Sequence, residues 1–192
     1  MSAMVSQAKK EWFRSLLDPV ARLLSQLGVH PNVLTVAGLL LAAVSGWFLA
    51  CGRFRWGAVI LLVGGLFDML DGAVARRSGK GSSFGAFLDS TMDRFAEILP
   101  YLGLAYALRD RWEFLLPFLV ITGSLMVSYS RARVEGLGGT CTVGLLERPE
   151  RIVLVFFGLL LGGPILPLAL ILLAAGSYFT TFQRIAHARK VL

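Results

Sequence analysis

Four aspartates within a short stretch of this chain have the types and spacing of a metal site. Asp68 and Asp71 are three residues apart, and Asp89 and Asp93 are four residues apart. Carboxylate oxygens are the ligands that hard divalent cations such as Mg²⁺ and Mn²⁺ prefer. Two such ions side by side stabilise both the attack on a phosphoryl group and the departure of the leaving oxygen. The four aspartates therefore predict a site for two Mg²⁺ ions, with Mn²⁺ as the alternative, and phosphoryl-transfer chemistry.

The rest of the chain is too apolar for a typical soluble domain. Hydrophobic residues make up 56% of the sequence and charged residues only 16%, whereas soluble domains carry about 25% charged residues. Ionised side chains at membrane depth are costly unless they are paired, hydrated or bound to metal. A buried salt-bridge network is the alternative, but Arg76 and Arg94 cannot neutralise four carboxylates plus Glu97.

Six apolar runs predict six transmembrane helices, because most of them approach the roughly 20 residues that cross a bilayer. The runs are Val33 to Ala50, Trp56 to Ala75, Phe84 to Leu108, Phe114 to Tyr129, Ile152 to Leu161 and Ile165 to Phe182. Before them, apolar residues recur at spacings of three and four opposite charged ones, which is typical of an interfacial amphipathic helix. The predicted fold is an all-α integral membrane protein with a single domain, residues 1–192. Residues 1–29 form the interfacial segment and residues 30–192 the six-helix core.

The basic residues predict the orientation of this fold. With six crossings, fourteen of the 19 Lys and Arg residues fall on the side of the two termini, four on the other side, and Arg94 within a crossing. By the positive-inside rule both termini lie in the cytoplasm, and we expect a multi-pass protein of the plasma membrane. The net charge of +7 is thus accounted for by membrane orientation and anionic partners, without nucleic-acid binding.

The same layout predicts that the aspartates converge. The turn between the second and third crossings has its midpoint near residue 80, so Asp71 and Asp89 are each nine residues away. Asp68 and Asp93 are twelve and thirteen residues away. Equal distances along antiparallel helices mean equal depth, because each residue adds about 1.5 Å. We therefore expect all four carboxylates in one cavity that opens to the cytoplasm.

The complete pattern is Asp68-x2-Asp71-Gly72-x2-Ala75-Arg76-x8-Gly85-x3-Asp89-x3-Asp93. It resembles, without one departure, the signature of the CDP-alcohol phosphatidyltransferase family. The resemblance covers essentially the whole chain, since an amphipathic amino-terminal helix and six crossings are the family's architecture. It implies transfer of a phosphatidyl group from a CDP-linked lipid to an alcohol with release of CMP, in a membrane-embedded homodimer.

The resemblance also implies roles for individual residues. Asp68, Asp71 and Asp89 would hold the ions on the donor's pyrophosphate, while Asp93 would bind the second ion and act as general base on the acceptor hydroxyl. The residues that would contact the CDP-lipid are Pro31, Asn32, Thr35, Gly72, Arg76 and Ser82. Asn32 could equally cap the first transmembrane helix.

Arginines outside the signature indicate an anionic acceptor. Four of them, Arg131, Arg133, Arg148 and Arg151, fall at the cytoplasmic ends of the fourth and fifth helices, where guanidinium groups suit a phosphate ester. Their segments resemble those of phosphatidylinositol phosphate synthases, which implies inositol 1-phosphate as acceptor and its phosphate on Arg131, Arg151 and Arg184. Many relatives carry lysine where this chain has Arg131. The alternative for these arginines is the positive-inside rule alone.

Other functions remain as alternatives. Glycerol 3-phosphate is also an anionic phosphate ester, and the donor could be CDP-diacylglycerol or CDP-archaeol. A divalent-cation transporter could use the same aspartates, but the sequence shows neither an internal repeat nor broken helices. A non-catalytic scaffold is disfavoured by the intact Asp93.

Overall fold

The computed structural model describes residues 17–79 and 82–192, and this part of the chain contains helices but no strand. The chain is helical from residue 17 to 26, which we label α1. The other helices are α2 (Pro31–Ala50), α3 (Phe54–Ser78), α4 (Ser83–Ala107), α5 (Leu116–Gly136), α6 (Arg148–Leu161) and α7 (Ile165–Val191), with a 3₁₀ turn at Trp112–Leu115 before α5. The all-helical prediction is confirmed. Residues 1–16, which include the start of the predicted amphipathic segment, lie outside the described residues.

Each of the six predicted apolar runs falls mainly within one helix, but the helices do not stop where the runs stop. Helix α7 continues to Val191, nine residues past the end of the apolar run. Helix α3 likewise extends to Ser78 through Arg76 and Arg77. Polar residues extend a helix as readily as apolar ones do, so hydropathy predicts membrane depth better than it predicts helix ends.

Four helices in the described chain are long and apolar enough to cross a membrane. They are α2, α3, the segment Trp112–Gly136 that contains α5, and α7. Helix α6 has only 14 residues, a length of about 21 Å at 1.5 Å per residue. Helix α4 has 25 residues, but its amino-terminal half carries the acidic residues of the signature. The chain therefore has the apolar helices of a membrane protein.

The surface of α2 is consistent with contact with lipid. Large apolar side chains recur every three or four residues along one face of this helix and are exposed: Val33, Val36, Leu40, Val44 and Trp47. A helix in a soluble protein normally buries such a stripe. Exposed apolar stripes of this length are expected where acyl chains replace water as the solvent.

The described residues form two compact units, and the first comprises those up to Leu41 together with Val63–Phe95. Its core is made by α1, α2 and α3, with Ala21, Leu34, Leu70 and Val74 buried together. Arg77 on α3 also donates hydrogen bonds to the Asp18 carboxylate on α1. The described part of α1 is therefore held by both apolar packing and an ion pair.

The second unit comprises Ala42–Leu62 and Ala96–Leu192 and has its own apolar core. Fully buried leucines at positions 49, 104, 159, 170 and 173 form much of that core. Helix α7 packs along both α5 and α6. Small residues allow the closest approach between α5 and α7, since a Cβ at Gly123 would lie 3.0 Å from the Ser177 Cβ. Close packing of this kind is typical of helix pairs in membranes.

Candidate active site

Three of the four aspartates come together in the first unit. Asp68 and Asp71 on α3 and Asp89 on α4 each offer one carboxylate oxygen, and these oxygens all lie within 4.8 Å of one another. Asp71 is buried, whereas Asp68 and Asp89 are half-buried. Three carboxylates this close repel one another, so the arrangement is favourable when a cation lies among them.

The turn between α3 and α4 brings the three residues together. Helix α3 ends at Ser78, and Gly79 follows with a φ of +63°. This left-handed conformation is typical of the residue that terminates a helix, and glycine adopts it without steric cost. Helix α4 begins at Ser83, and the Ser82 Oγ accepts a hydrogen bond of 2.9 Å from the Gly85 N–H. A serine in this position caps the start of the helix.

Asp93 does not belong to the group of three. Its Oδ2 lies 3.6 Å from Nη2 of the neighbouring Arg94, and the side chain is 17% exposed. It follows Asp89 by four residues and so lies on the same face of α4. Its predicted roles, as a ligand of the second ion and as the general base, stay predictions.

The three grouped carboxylates fit a hard divalent cation. Ligand oxygens that surround Mg²⁺, Mn²⁺ or Ca²⁺ lie roughly 3–5 Å apart, because each is about 2.0–2.6 Å from the ion. The separation of up to 4.8 Å among the Asp68, Asp71 and Asp89 oxygens agrees with this spacing. All three donors are carboxylates, which select against soft metals.

Thr35 holds the most buried of these carboxylates in place. Its Oγ1 donates a hydrogen bond of 2.7 Å to Asp71 Oδ2, and the two side chains are 7% and 4% exposed. Residues that hydrogen-bond a metal ligand fix its orientation and contribute to metal affinity. The predicted contact of Thr35 with the CDP-lipid stays a prediction, and the structure adds a contact of its hydroxyl with Asp71. The positions of Thr35 and Asp71 in the sequence did not predict this contact.

The other residues predicted to bind the CDP-lipid lie in two small groups of the first unit. A Cβ at Gly72 would lie 3.3 Å from Nη1 of Arg76, which is exposed. A Cβ at Gly85 would lie 3.1 Å from the Ser82 Oγ and 3.3 Å from the Asn32 Oδ1. A side chain at either glycine would therefore crowd a polar group that is predicted to contact the CDP-lipid.

The start of α2 is capped by a residue that the sequence did not single out. The Asn32 N–H lies 3.3 Å from the His30 Nδ1, which accepts its hydrogen bond. The side chain that caps this helix is therefore that of His30, while the Asn32 side chain extends towards Gly85. Pro31, the first residue of α2, is buried.

Two of the arginines predicted to bind the acceptor are buried in the second unit. Arg151 is 3% exposed and forms an ion pair with Glu97, with Nη2 at 2.8 Å from Oε1. Its Nη1 donates a hydrogen bond of 3.1 Å to the Leu146 carbonyl oxygen. Arg151 lies in the first turn of α6, and its buried charge is balanced by Glu97, a contact that the sequence did not predict.

Arg184 and Arg131 have different surroundings. Arg184 is 3% exposed, and it donates hydrogen bonds to the carbonyl oxygens of Val143, at 2.9 Å, and Val127. Arg131 is half exposed and forms a 2.8 Å ion pair with Glu135 on the next turn of α5. The prediction that these residues bind the acceptor phosphate is not tested by these contacts.

Comparison with known proteins gives the family. The sequence profile described as CDP-alcohol phosphatidyltransferase matches residues 28–182. An archaetidylinositol phosphate synthase from Pyrococcus horikoshii is 39% identical over 177 residues, which cover 92% of this chain and 92% of that protein.

Two crystal structures of Mycobacterium tuberculosis phosphatidylinositol phosphate synthase are also similar to the chain. The structure with CDP-DAG bound is 33% identical, with a TM-score of 0.82 over 90% of this chain and 93% of that one. The structure in complex with manganese and citrate is 32% identical, with a TM-score of 0.82 over 90% and 88% of the two chains.

The chain belongs to the CDP-alcohol phosphatidyltransferase family. It is therefore an enzyme of phospholipid biosynthesis, and the family predicted from the aspartate signature is confirmed. The manganese-bound relative and the aspartate group of this chain agree with a metal-dependent transferase.

Proposed function

We propose that this enzyme transfers the phosphatidyl group of a CDP-linked lipid to inositol 1-phosphate and releases CMP. The observation that carries the proposal is the similarity to two kinds of synthase over nine-tenths of the chain. The names of these relatives differ in the lipid, archaetidyl or phosphatidyl, but share the inositol phosphate headgroup. Inositol phosphate is thus the feature most strongly supported for this chain, while CDP-diacylglycerol and CDP-archaeol are both candidate donors.

The residues of the first unit would carry the chemistry. Asp93 would take the proton from an acceptor hydroxyl, whose oxygen then bonds to the phosphorus attached to the lipid. The bond from that phosphorus to the bridging oxygen breaks, and CMP leaves with the electron pair. Arg76 offers a planar fork of N–H donors suited to the donor's phosphates. Pro31, Asn32, Thr35, Gly72 and Ser82 would surround the CDP moiety, with Thr35 acting through Asp71.

The metal requirement follows from the donor set. Asp68, Asp71 and Asp89 would hold the two ions, and Asp93 would be a further ligand of the second. Bound divalent cations neutralise charge on the transferring phosphoryl group and on the leaving oxygen. We propose two Mg²⁺ ions, and Mn²⁺ is the alternative because a relative binds manganese.

Arginines of the second unit would bind the acceptor phosphate. Arg151 and Arg184 are buried, and each donates a hydrogen bond to the loop before α6, at Leu146 and Val143 respectively. A phosphate ester is doubly anionic near neutral pH and requires cationic donors wherever it is desolvated. Arg131 is exposed and adds a further positive charge.

The membrane arrangement is part of the same proposal. Six helices would cross the plasma membrane, with α6 as a short crossing and α1 along the interface of a single domain. Both termini and the aspartate site would face the cytoplasm, where CDP-lipid headgroups and soluble phosphate esters meet. Two copies would form a homodimer.

An acceptor screen tests the proposed function. Purified full-length protein is incubated with Mg²⁺ and radiolabelled CDP-diacylglycerol or CDP-archaeol, and the labelled products are separated. The acceptors are inositol 1-phosphate, glycerol 3-phosphate, free inositol and serine. We expect a labelled lipid only with inositol 1-phosphate, and none when Asp68→Asn protein is used. A product with glycerol 3-phosphate alone would replace the proposed acceptor.

A further inference from the structure

Glu97 has an unusual hydrogen-bonding arrangement for a buried carboxylate. Nε and Nη2 of Arg151 lie 2.9 Å and 2.8 Å from the same oxygen, Glu97 Oε1. The second oxygen, Oε2, is buried and has no hydrogen-bond partner among the described residues. The Glu97 side chain is only 9% exposed. A buried charged acceptor without a donor is destabilising, and most such atoms in proteins have a partner.

A second buried glutamate shows how the chain builds an ion pair that satisfies both oxygens. Glu113, whose side chain is 4% exposed, accepts from Arg111 Nε on Oε2 at 3.1 Å and from Nη2 on Oε1 at 2.7 Å. This parallel geometry is the usual one for an arginine and a carboxylate. Glu97 instead presents only one oxygen to Arg151, and no donor among residues 17–79 and 82–192 reaches the other oxygen.

The loop before α6 links Arg151, the partner of Glu97, to Arg184, the other buried arginine assigned to the acceptor phosphate. Arg151 Nη1 donates to the Leu146 carbonyl oxygen at 3.1 Å, and Arg184 Nε donates to the Val143 carbonyl oxygen at 2.9 Å. Both buried arginines therefore hold the same short loop. The Arg151 charge is balanced by Glu97, while these contacts of Arg184 are to uncharged carbonyl groups.

We infer that Glu97 is a substrate-binding residue whose Oε2 accepts a hydrogen bond from a hydroxyl group of the acceptor, while its Oε1 orients Arg151. This inference rests on the proposed function, because it takes the second-unit arginines as the acceptor's phosphate site. Arg184, whose hydrogen bonds to Val143 and Val127 are to uncharged carbonyl groups, then supplies positive charge for the phosphate. The Glu97–Arg151 pair recognises a non-reacting hydroxyl group and so selects a polyol phosphate over a simple phosphate ester.

Substrate analogues test the inference on the unmodified enzyme. Initial rates are measured with inositol 1-phosphate and with analogues that each lack one non-reacting hydroxyl group. We expect one analogue to lose about tenfold to hundredfold in kcat/KM, the range for a hydrogen bond to a charged group. If every analogue reacts as well as inositol 1-phosphate, no hydroxyl group is bound by Glu97 and the inference is wrong.

The Glu97→Gln variant then assigns that loss to Glu97. Glutamine can still accept from Arg151, but it presents an amide N–H₂ where the second oxygen was. We expect the KM for inositol 1-phosphate to rise about tenfold or more, the KM for the CDP-lipid to stay unchanged, and the sensitive analogue to react as well as the full substrate. Glu113→Gln is the matched control and should preserve the discrimination. A Glu97→Gln enzyme that still discriminates would overturn the inference.

The proposed function and the role of Glu97 are refuted by different results. If the wild type turns over inositol 1-phosphate but shows no discrimination, the proposed function stands and the role of Glu97 falls. If the wild type uses glycerol 3-phosphate instead, the proposed acceptor falls. Glu97 is then tested by comparing glycerol 3-phosphate with 3-hydroxypropyl phosphate, which lacks the non-reacting hydroxyl group; equal rates would exclude hydroxyl recognition.

Discussion

The hydrogen bond from Thr35 to Asp71 leads to a quantitative prediction for metal affinity. In Thr35→Val, a methyl group replaces the hydroxyl that lies 2.7 Å from Asp71 Oδ2, with little change in volume. Both side chains are buried, at 7% and 4% exposure, so water cannot easily replace the lost donor. The Asp71 carboxylate is then less firmly oriented towards a metal ion.

The size of the effect follows from the energy of that bond. A hydrogen bond to a charged group contributes about 1.5–3 kcal/mol, which corresponds to roughly 10- to 150-fold in affinity. Removal of a group that orients a metal ligand typically costs about 10- to 100-fold in metal affinity. We therefore expect Thr35→Val to weaken Mn²⁺ binding by about one to two orders of magnitude.

The assay is a titration of purified protein with Mn²⁺, in which free Mn²⁺ is followed by electron paramagnetic resonance. Activity as a function of Mg²⁺ concentration is measured in parallel, and most of the turnover should return at saturating metal. Thr35→Ser retains the hydroxyl and should bind Mn²⁺ nearly as the wild type does.

A matched control separates this effect from the general loss of a buried hydroxyl. Thr181 is also buried, at 6% exposure, but its Oγ1 donates only within α7, to the Ser177 carbonyl oxygen at 3.0 Å. Thr181→Val should leave Mn²⁺ affinity unchanged. The reasoning is refuted if Thr35→Val binds Mn²⁺ like the wild type, or if Thr181→Val weakens binding equally.

Three further predictions concern the first unit. Asp93→Asn should lower kcat by about 10²- to 10⁴-fold, the usual contribution of a general base, while calorimetry still detects CDP-lipid and metal binding by the other aspartates. Gly85→Val should raise the KM for the CDP-lipid, because even a Cβ at this position would lie only 3.3 Å from Asn32 Oδ1 and the larger side chain would displace this predicted lipid contact. Asp18→Asn should lower the free energy of unfolding by less than about 1 kcal/mol, since the Asp18–Arg77 pair is 46% and 33% exposed; thermal unfolding measures this.

Each of these has a control. Normal turnover in Asp93→Asn would remove Asp93 as the base. Gly136→Val is the control for Gly85→Val, because a Cβ at Gly136 has no neighbour within 4 Å; an equal change in both KM values would contradict the proposed contact. For Asp18→Asn, a loss of stability well above the stated bound would mean that the ion pair, rather than the apolar core around Ala21, holds α1.

The helices could be predicted from the sequence because apolar runs of nearly 20 residues leave few alternatives. The number of crossings stays a prediction, because α6 is short and α4 has an ambiguous composition. Helix α4 carries Asp89, Asp93, Arg94 and Glu97 in one stretch, which lowers its hydropathy below that of a typical span. The charges that indicate a functional site thus remove the membrane signal from the helix that bears them.

The aspartate group was predictable for a different reason. Asp68, Asp71 and Asp89 lie on two helices joined by a short turn, so counting residues from the turn estimates their depth. The same count places Asp93 at a similar depth, and its membership of the metal site stays a prediction beside the three oxygens that lie within 4.8 Å of one another. A helical rise of 1.5 Å per residue gives depth, and it contains no information on where each carboxylate points.

The arginines show where sequence reasoning reaches its limit. Arg131 pairs with Glu135 one turn away, a contact that spacing alone predicts. Arg151 pairs with Glu97, which is 54 residues away, and Arg184 with a carbonyl group 41 residues away. A count of positive charges treats the three residues alike, yet Arg131 is half exposed while the other two are 3% exposed. Burial makes the partner of each arginine decisive for its energy. Glu97, which a count of positive charges does not include, therefore determines what Arg151 can bind.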